Sequence, residues 1–245
     1  MSENQPTVVL VHGAFAESAS WDGVIRALYR EGVVSTAVAN PLRGLAVDAA
    51  YVRDVIASID GPVVLVGHSY GGLVITEASA GNDQVVGLVY VSAFTPLTGE
   101  SAFSLSASAP GSSLGEAIVP RHLSDGGIEF SIDRTKFRDQ FAADVDVQTA
   151  GLMGATQRPV TDAALRDAVQ AEVPGWRDRP SWHIWGAEDR NIPAAVLRAG
   201  AERADAQEAI ELEGASHAVS VSRPDEVAAL VLAAVQASSS ARSAA

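Results

Sequence analysis

Gly67-His68-Ser69-Tyr70-Gly71 sets a serine between two glycines in the pattern G-x-S-x-G. A serine hydroxyl is a weak nucleophile until a base takes its proton and N–H donors hold the oxyanion it creates. The five-residue pattern alone says little, because short Gly/Ser strings arise by chance. Its surroundings are more specific: the β-branched run at residues 63–66 leads straight into it and a helical pattern opens near Gly72. That strand–turn–helix setting is the one a nucleophile elbow needs. The flanking glycines remove Cβ atoms that would collide in so tight a turn, and they tolerate its dihedrals. The serine would then stand at the carboxyl end of a strand, over a helix N-terminus that favours developing negative charge.

The base must come from one of five histidines, His12, His68, His122, His183 and His217. His183 falls inside a strand pattern between Trp182 and Trp185, a core position. His12 ends the first strand beside Gly13, where it suits loop ordering, and His122 suits a surface or capping role. His68 adjoins the serine, so its side chain points away across the turn. His217, in Gly214-Ala215-Ser216-His217 after the last strand pattern, is placed to deliver an imidazole to the strand ends. Such a base needs a carboxylate to fix its tautomer and stabilise the imidazolium. Asp189 closes Trp185-Gly186-Ala187-Glu188-Asp189, directly after a strand. Glu188 is the adjacent alternative, and the Gly-x-x-Asp spacing favours Asp189.

The oxyanion calls for two backbone donors, each worth roughly 3–4 kcal/mol of transition-state stabilisation. One is expected from Tyr70, the residue after the serine. The other is expected from the loop after the first strand, His12-Gly13-Ala14-Phe15, with Ala14 preferred and Phe15 the near alternative. Phe15, Tyr70, Leu152 and Met153 are candidates to line an apolar substrate pocket, with cap or core packing as the competing role for each.

These residues need a frame. Strand patterns at Thr7–Val11, 33–38, 62–66, Val85–Val91, 181–185 and Glu208–Leu212 alternate with helical patterns at 20–31, 47–58, 73–80, 194–204 and 225–235. Alternation of this kind implies a mostly parallel sheet of about six strands covered by helices on both faces. Between 95 and 178 the rhythm breaks. Leu97 to Gly115 is rich in Ser, Gly and Ala. Phe137, Phe141 and Val145 recur at helical spacing, and a further helix is predicted at 161–172. The chain therefore divides into an α/β core (1–94 and 179–236), a largely helical insertion (95–178) and a Ser/Ala-rich tail (237–245) expected to be disordered.

Composition narrows the partners. There is no cysteine, which excludes disulfides, thiolate metal sites and a cysteine nucleophile. The net charge of −13, with Lys136 the only lysine, repels phosphate backbones and disfavours nucleic acid. No run approaches the roughly 20 apolar residues of a membrane span. The start of the chain lacks the basic residues and long apolar run of a signal peptide, so a cytoplasmic protein is expected. No metal or organic cofactor is implied.

The order Ser69, Asp189, His217 is that of α/β-hydrolases. The sequence resembles that superfamily over nearly its whole length, and is most similar to its branch of plant-type methylesterases and hydroxynitrile lyases with their compact bacterial relatives. The resemblance rests on VVLVHGAF, PVVLVGHSYGG, VYVSAFTP, ATQRP, PSWHIWGAEDRNIP, AERA and GASHAVSVSRP. It implies an α/β-hydrolase fold in which residues 95–178 form a cap over the serine. Hydroxynitrile lyases of this type carry a threonine at the position of Gly13 and a lysine at that of Ala218. Gly13 leaves room for an ester carbonyl and Ala218 offers no cation to a leaving cyanide, so both departures favour ester hydrolysis. The resemblance implies a carboxylesterase (EC 3.1.1) acting on a small-molecule ester as a monomer or homodimer. The alternatives are a lyase, perhydrolase or cofactor-free oxygenase on the same fold, or a non-enzymatic small-molecule receptor.

Overall fold

The computed structural model describes residues 5–243. In chain order the core elements are β1 (Thr7–Val11), α1 (Asp22–Arg30), β2 (Ser35–Val38), α2 (Leu45–Ala57), β3 (Val63–His68), α3 (Gly71–Ser79) and β4 (Val85–Val91). The insertion follows, with α4 (Ala102–Ser106), β5 (Ile118–His122), β6 (Ile128–Ile132), α5 (Phe137–Phe141), α6 (Val147–Thr156), β7 (Val160–Thr161) and α7 (Asp162–Arg166). The core resumes with β8 (Ser181–Gly186), α8 (Ala194–Arg203), β9 (Glu208–Leu212), α9 (Val219–Ser222) and α10 (Pro224–Ser243).

The core strands form one six-stranded parallel sheet in the order β2-β1-β3-β4-β8-β9. The alternation of side chains along each strand feeds two cores. Val9, Val11, Val63 and Leu65 face α2 and α3. Val8, Leu10, Val64 and Val66 face α1 and α10. Burial on both faces explains why β1 and β3 read as unbroken apolar runs. The chain leaves β1 toward one edge of the sheet and β3 toward the other, so the loops after these two neighbours diverge. Such a topological switch point leaves a crevice at the carboxyl ends of the strands, where open α/β sheets bind ligands.

The insertion is α-helical only in the four short helices α4 to α7, and it also carries a three-stranded antiparallel sheet, β5-β6-β7, that the sequence did not reveal. β5 is largely exposed and contains Pro120 and Arg121, so it lacks the apolar alternation by which strands are read. The helix expected at 161–172 is only the single turn or so of α7; Thr161 caps it through Ala164 N–H, and the chain leaves helical geometry at Asp167. The expected disorder of the tail is also corrected: α10 continues to Ser243. Ser238, Ser239 and Ser240 turn their hydroxyls back onto the carbonyls of Ala234, Val235 and Gln236, which reconciles serine with a helix interior. Residues 244–245 of that tail lie outside the described residues. Among the described residues no helix is long and apolar enough to cross a membrane.

At the start of α3 the backbone has no space for side chains. A Cβ on Gly72 would lie 2.2 Å from the carbonyl oxygen of Phe94. Gly72→Ala is therefore expected to lower the unfolding free energy by about 1–3 kcal/mol or more, read by urea titration. Gly151, in α6, provides the contrast: a Cβ added there would meet no neighbour within 4 Å. There alanine is expected to be neutral or to add about 0.5–1 kcal/mol. Equal effects at the two sites would contradict the close approach at Gly72.

Candidate active site

Ser69 sits at the end of β3 with φ of 56°, in the left-handed region that serine rarely occupies. Its conformation is held from three sides. Its N–H donates to Val91 O (3.2 Å), and its carbonyl accepts from Gly72 N (3.0 Å) and Phe94 N (3.4 Å). The side chain is 7% exposed, at the floor of a cavity. Gly13 closes against this turn. A Cβ there would lie 2.6 Å from His68 O and 2.7 Å from Ser69 Cβ. The space that Gly13 leaves is therefore taken up by the elbow itself, and a threonine would force that elbow to move.

His217, wholly buried in the loop after β9, points Nδ1 at Asp189 Oδ2 across 2.6 Å. The carboxylate accepts, so the Nδ1 proton lies between them and Nε2 carries the free lone pair. Asp189 is itself fixed: its Oδ1 accepts from the amides of Asn191 (2.8 Å) and Ile192 (2.9 Å). His217 Nε2 has no hydrogen-bond partner, so a bond to Ser69 Oγ is not formed in this structure. The two are joined instead through His68. Its ring packs 4.6 Å from that of His217, and its Nε2 donates to the His217 carbonyl (3.0 Å). Across the turn from Ser69, the His68 side chain therefore packs against His217 and supports it, a contact that the sequence did not reveal. Phe141 abuts His217 edge-on at 4.8 Å.

The candidate oxyanion donors separate cleanly. Phe15, with φ of 61°, donates its N–H to Arg158 O (3.2 Å). The amides of Ala14 and Tyr70 meet no acceptor among the described residues, which leaves this pair, and not Phe15, available to an oxyanion. The Tyr70 side chain is anchored by a 2.8 Å bond from its hydroxyl to Asp48 Oδ2. Burial pushes the Asp48 carboxyl up from the usual range, against the opposing bond from the Arg43 amide.

The cavity above Ser69 encloses about 290 Å³. Ala14, Phe15, Tyr70 and Phe94 form its core side, and Phe103, Leu114, Ile118 and Leu165 of the insertion form its roof. Apart from the Tyr70 phenol, none of its walls is an ionisable side chain. Phe15 and Tyr70 line this cavity. Leu152 and Met153 open onto a separate cleft of about 370 Å³ between α6 and the start of α1, with Phe15 as the wall between. Leu152 is 65% exposed, on the face of α6 turned from the core. Among the described residues no group of His, Asp and Glu side chains is placed to hold a metal ion.

A sharp strand–turn–helix at the end of β3, a His–Asp pair from β9 and β8 and a six-stranded parallel sheet are the features of an α/β-hydrolase. The chain belongs to the alpha/beta hydrolase family, which it matches over residues 8–230. It is 27% identical to the alpha/beta hydrolase nvfD of Aspergillus novofumigatus (strain IBT 16806), over 93% of this chain and 95% of that one. Its fold is that of polyneuridine aldehyde esterase (TM-score 0.79, 22% identity, 94% of this chain and 99% of that one). It is also that of an extracellular alpha/beta-hydrolase from a Paenibacillus species described as sharing structural and functional homology with tobacco salicylic acid binding protein 2 (TM-score 0.77, 22% identity, 94% and 98%).

Three other histidines are buried as neutral rings. Burial pushes His12 down to about 4, helped by the charge of Arg158, and pushes His183, stacked on Tyr90, down to about 3. His68 falls well below its ordinary value through burial and then the proximity of His217. In the unfolded chain each titrates near ~6.5. Unfolding therefore takes up protons below that pH, and stability is complete above it and lost as pH falls toward the folded values. Asp48, raised by burial, opposes this only when it protonates. The expected slope between pH 6 and 5 is about 4 kcal/mol per pH unit, ~1.4 for each of the three rings. Urea unfolding at a series of pH values reads it directly, and a flat profile across that window would show the rings to be charged or exposed.

Proposed function

We propose that this protein is a carboxylesterase (EC 3.1.1) that cleaves a small, apolar ester through Ser69, His217 and Asp189 and an acyl-enzyme intermediate. The observation that carries this reading is the buried imidazole with Nδ1 committed to Asp189 and Nε2 free beside the elbow. A ring so held can only take its next proton at Nε2. Contacts of this kind often close to hydrogen-bond distance only once substrate is bound.

His217 Nε2 removes the Ser69 proton as Oγ bonds to the ester carbonyl carbon. The carbonyl oxygen becomes an oxyanion held by the Ala14 and Tyr70 amides, with the N-terminus of α3 adding favourable potential. Asp189 stays ionised and stabilises the imidazolium. Collapse of the intermediate breaks the bond to the alcohol, which leaves with the proton from Nε2. A water molecule then gives its proton to His217 and attacks the acyl carbon, and Ser69 departs with that proton as the acid is released. Residues 95–178 act as the cap over this chemistry and set the shape of the acyl or alcohol site through Phe103, Leu114, Ile118 and Leu165.

The substrate class follows from the cavity. About 290 Å³ is at the small end for ligand sites. A charged group would enter walls with no counter-charge at a large desolvation cost. Ala218, buried after the base, supplies no cation for a leaving cyanide, which supports ester hydrolysis over lysis. That proteins of the same fold include an esterase supports it further.

A short-chain p-nitrophenyl ester is expected to be hydrolysed with a burst of p-nitrophenol. Ser69→Ala should reduce kcat by at least roughly 10⁴-fold. Full activity in that variant would refute the scheme. Among acyl chains of matched length, p-nitrophenyl butyrate should exceed the mono-p-nitrophenyl ester of succinate by at least about tenfold in kcat/KM. Preference for the charged acyl group would mean that the substrate does not bind in this cavity.

A further inference from the structure

The loops that carry Asp189 and His217 are both held by one short piece of the insertion, α5 and the turn that follows it. Asp144, in that turn, accepts both the amide (3.2 Å) and the hydroxyl (2.5 Å) of Ser216, the residue before His217. Its side chain is 13% exposed, and its other oxygen lies 3.4 Å from Arg223 at the far end of α9. Three residues earlier, Phe141 packs edge-on against the His217 ring. One residue before that, buried Gln140 donates to Arg190 O and to Asn191 Oδ1, both at 2.8 Å, and accepts from Ser113 Oγ at 2.9 Å. Asn191 is the residue whose amide fixes Asp189 Oδ1. Residues 140–144 therefore bridge the acid loop to the base loop.

We infer that Asp144 is a positioning residue for the His217–Asp189 pair, with Gln140 as its counterpart on the acid side, so that the insertion sets the base as well as covers the serine. Ser216 has no other acceptor for its amide among the described residues, and its hydroxyl otherwise donates only to Phe141 O at 3.3 Å and accepts from Ala218 N at 3.5 Å. Without Asp144 the residue next to the base loses the contacts that orient its peptide. The 2.6 Å bond between His217 and Asp189 spans two separate loops, so a shift in either one lengthens it. A misplacement of about 1 Å in a catalytic group can cost on the order of 10²-fold in rate.

The kinetic half of the test rests on the esterase reading; the spectroscopic half does not. In protein labelled with ¹⁵N-histidine, the His217 Nδ1 proton shared with Asp189 should give a far-downfield resonance, assigned by its loss in Asp189→Asn. Asp144→Leu should abolish or broaden that resonance. It should lower kcat for a p-nitrophenyl ester roughly ten- to hundredfold with KM within about threefold. Asp144→Asn keeps an oxygen acceptor for Ser216 and should restore most of both readouts. Wild-type kcat and an intact resonance in folded Asp144→Leu would overturn the inference. If Asp144→Leu does not fold, Ser216→Ala carries the test, with a smaller change in the same direction expected and no change overturning it. If the wild-type protein turns over no ester, the esterase reading fails and the resonance alone decides whether Asp144 positions His217.

Discussion

At the carboxyl end of β3 the main chain reverses into α3 in a space that admits no extra Cβ, and the rest of the site is built outward from that crowding. Gly13 lies against the turn from one side and Gly72 against Phe94 O from the other. The reversal forces Ser69 into its left-handed conformation. Such strain, of order 1–3 kcal/mol, persists only where the surroundings over-determine it, and here three backbone hydrogen bonds do so. The consequence is positional. The serine Oγ is lifted out of the sheet at the mouth of a helix, and the Tyr70 amide behind it meets no acceptor among the described residues. The crowding, the position of Ser69 and the free Tyr70 amide, which serve as proposed nucleophile and oxyanion donor, are thus products of a single turn.

Topology supplies the other groups. Because β1 and β3 are adjacent but send their connections to opposite edges, the loop after β1 is free to lay Ala14 beside Tyr70. Asp189 and His217, the proposed acid and base, follow β8 and β9, neighbours in the sheet. Adjacency of strands brings Asp189 and His217 together although 28 residues separate them. It does not fix their side chains to within a hydrogen bond, because each sits on a loop. That last increment comes from the packing of His68 and Phe141 on the imidazole and from the side chains of the insertion.

What could be read from the sequence divides along the same physical line. The six core strands and the sharp strand–turn–helix around Ser69 were legible because turn chemistry and apolar runs are local signals, and the contact between Asp189 and His217 followed from their places just after strands. His68 and Asp144 were not legible, since what they do depends on partners 149 and 72 residues away. Leu152 and Met153 line a cleft apart from Ser69, which hydrophobicity does not show, because it reports a residue's character and not the face of the helix it occupies. The antiparallel sheet was hidden by Pro120 and Arg121 in an exposed strand. The end of α10 was hidden by serines whose bonding to the preceding turn cannot be told from the composition of a loose tail.

The electrostatics of the molecule match the proposed substrate class. The chain carries a net charge of −13, yet the cavity over Ser69 has no charged wall. A neutral ester meets neither barrier on the way in: it is not repelled by the acidic surface and loses little solvation in the apolar cavity. Hydrolysis on the proposed path changes its character at the last step. The acid product ionises, and a carboxylate in a cavity without counter-charge is destabilised by desolvation while the surrounding negative field favours its departure. On that proposed path the two features that would admit a neutral ester would also expel its product, with no separate device needed to clear the site.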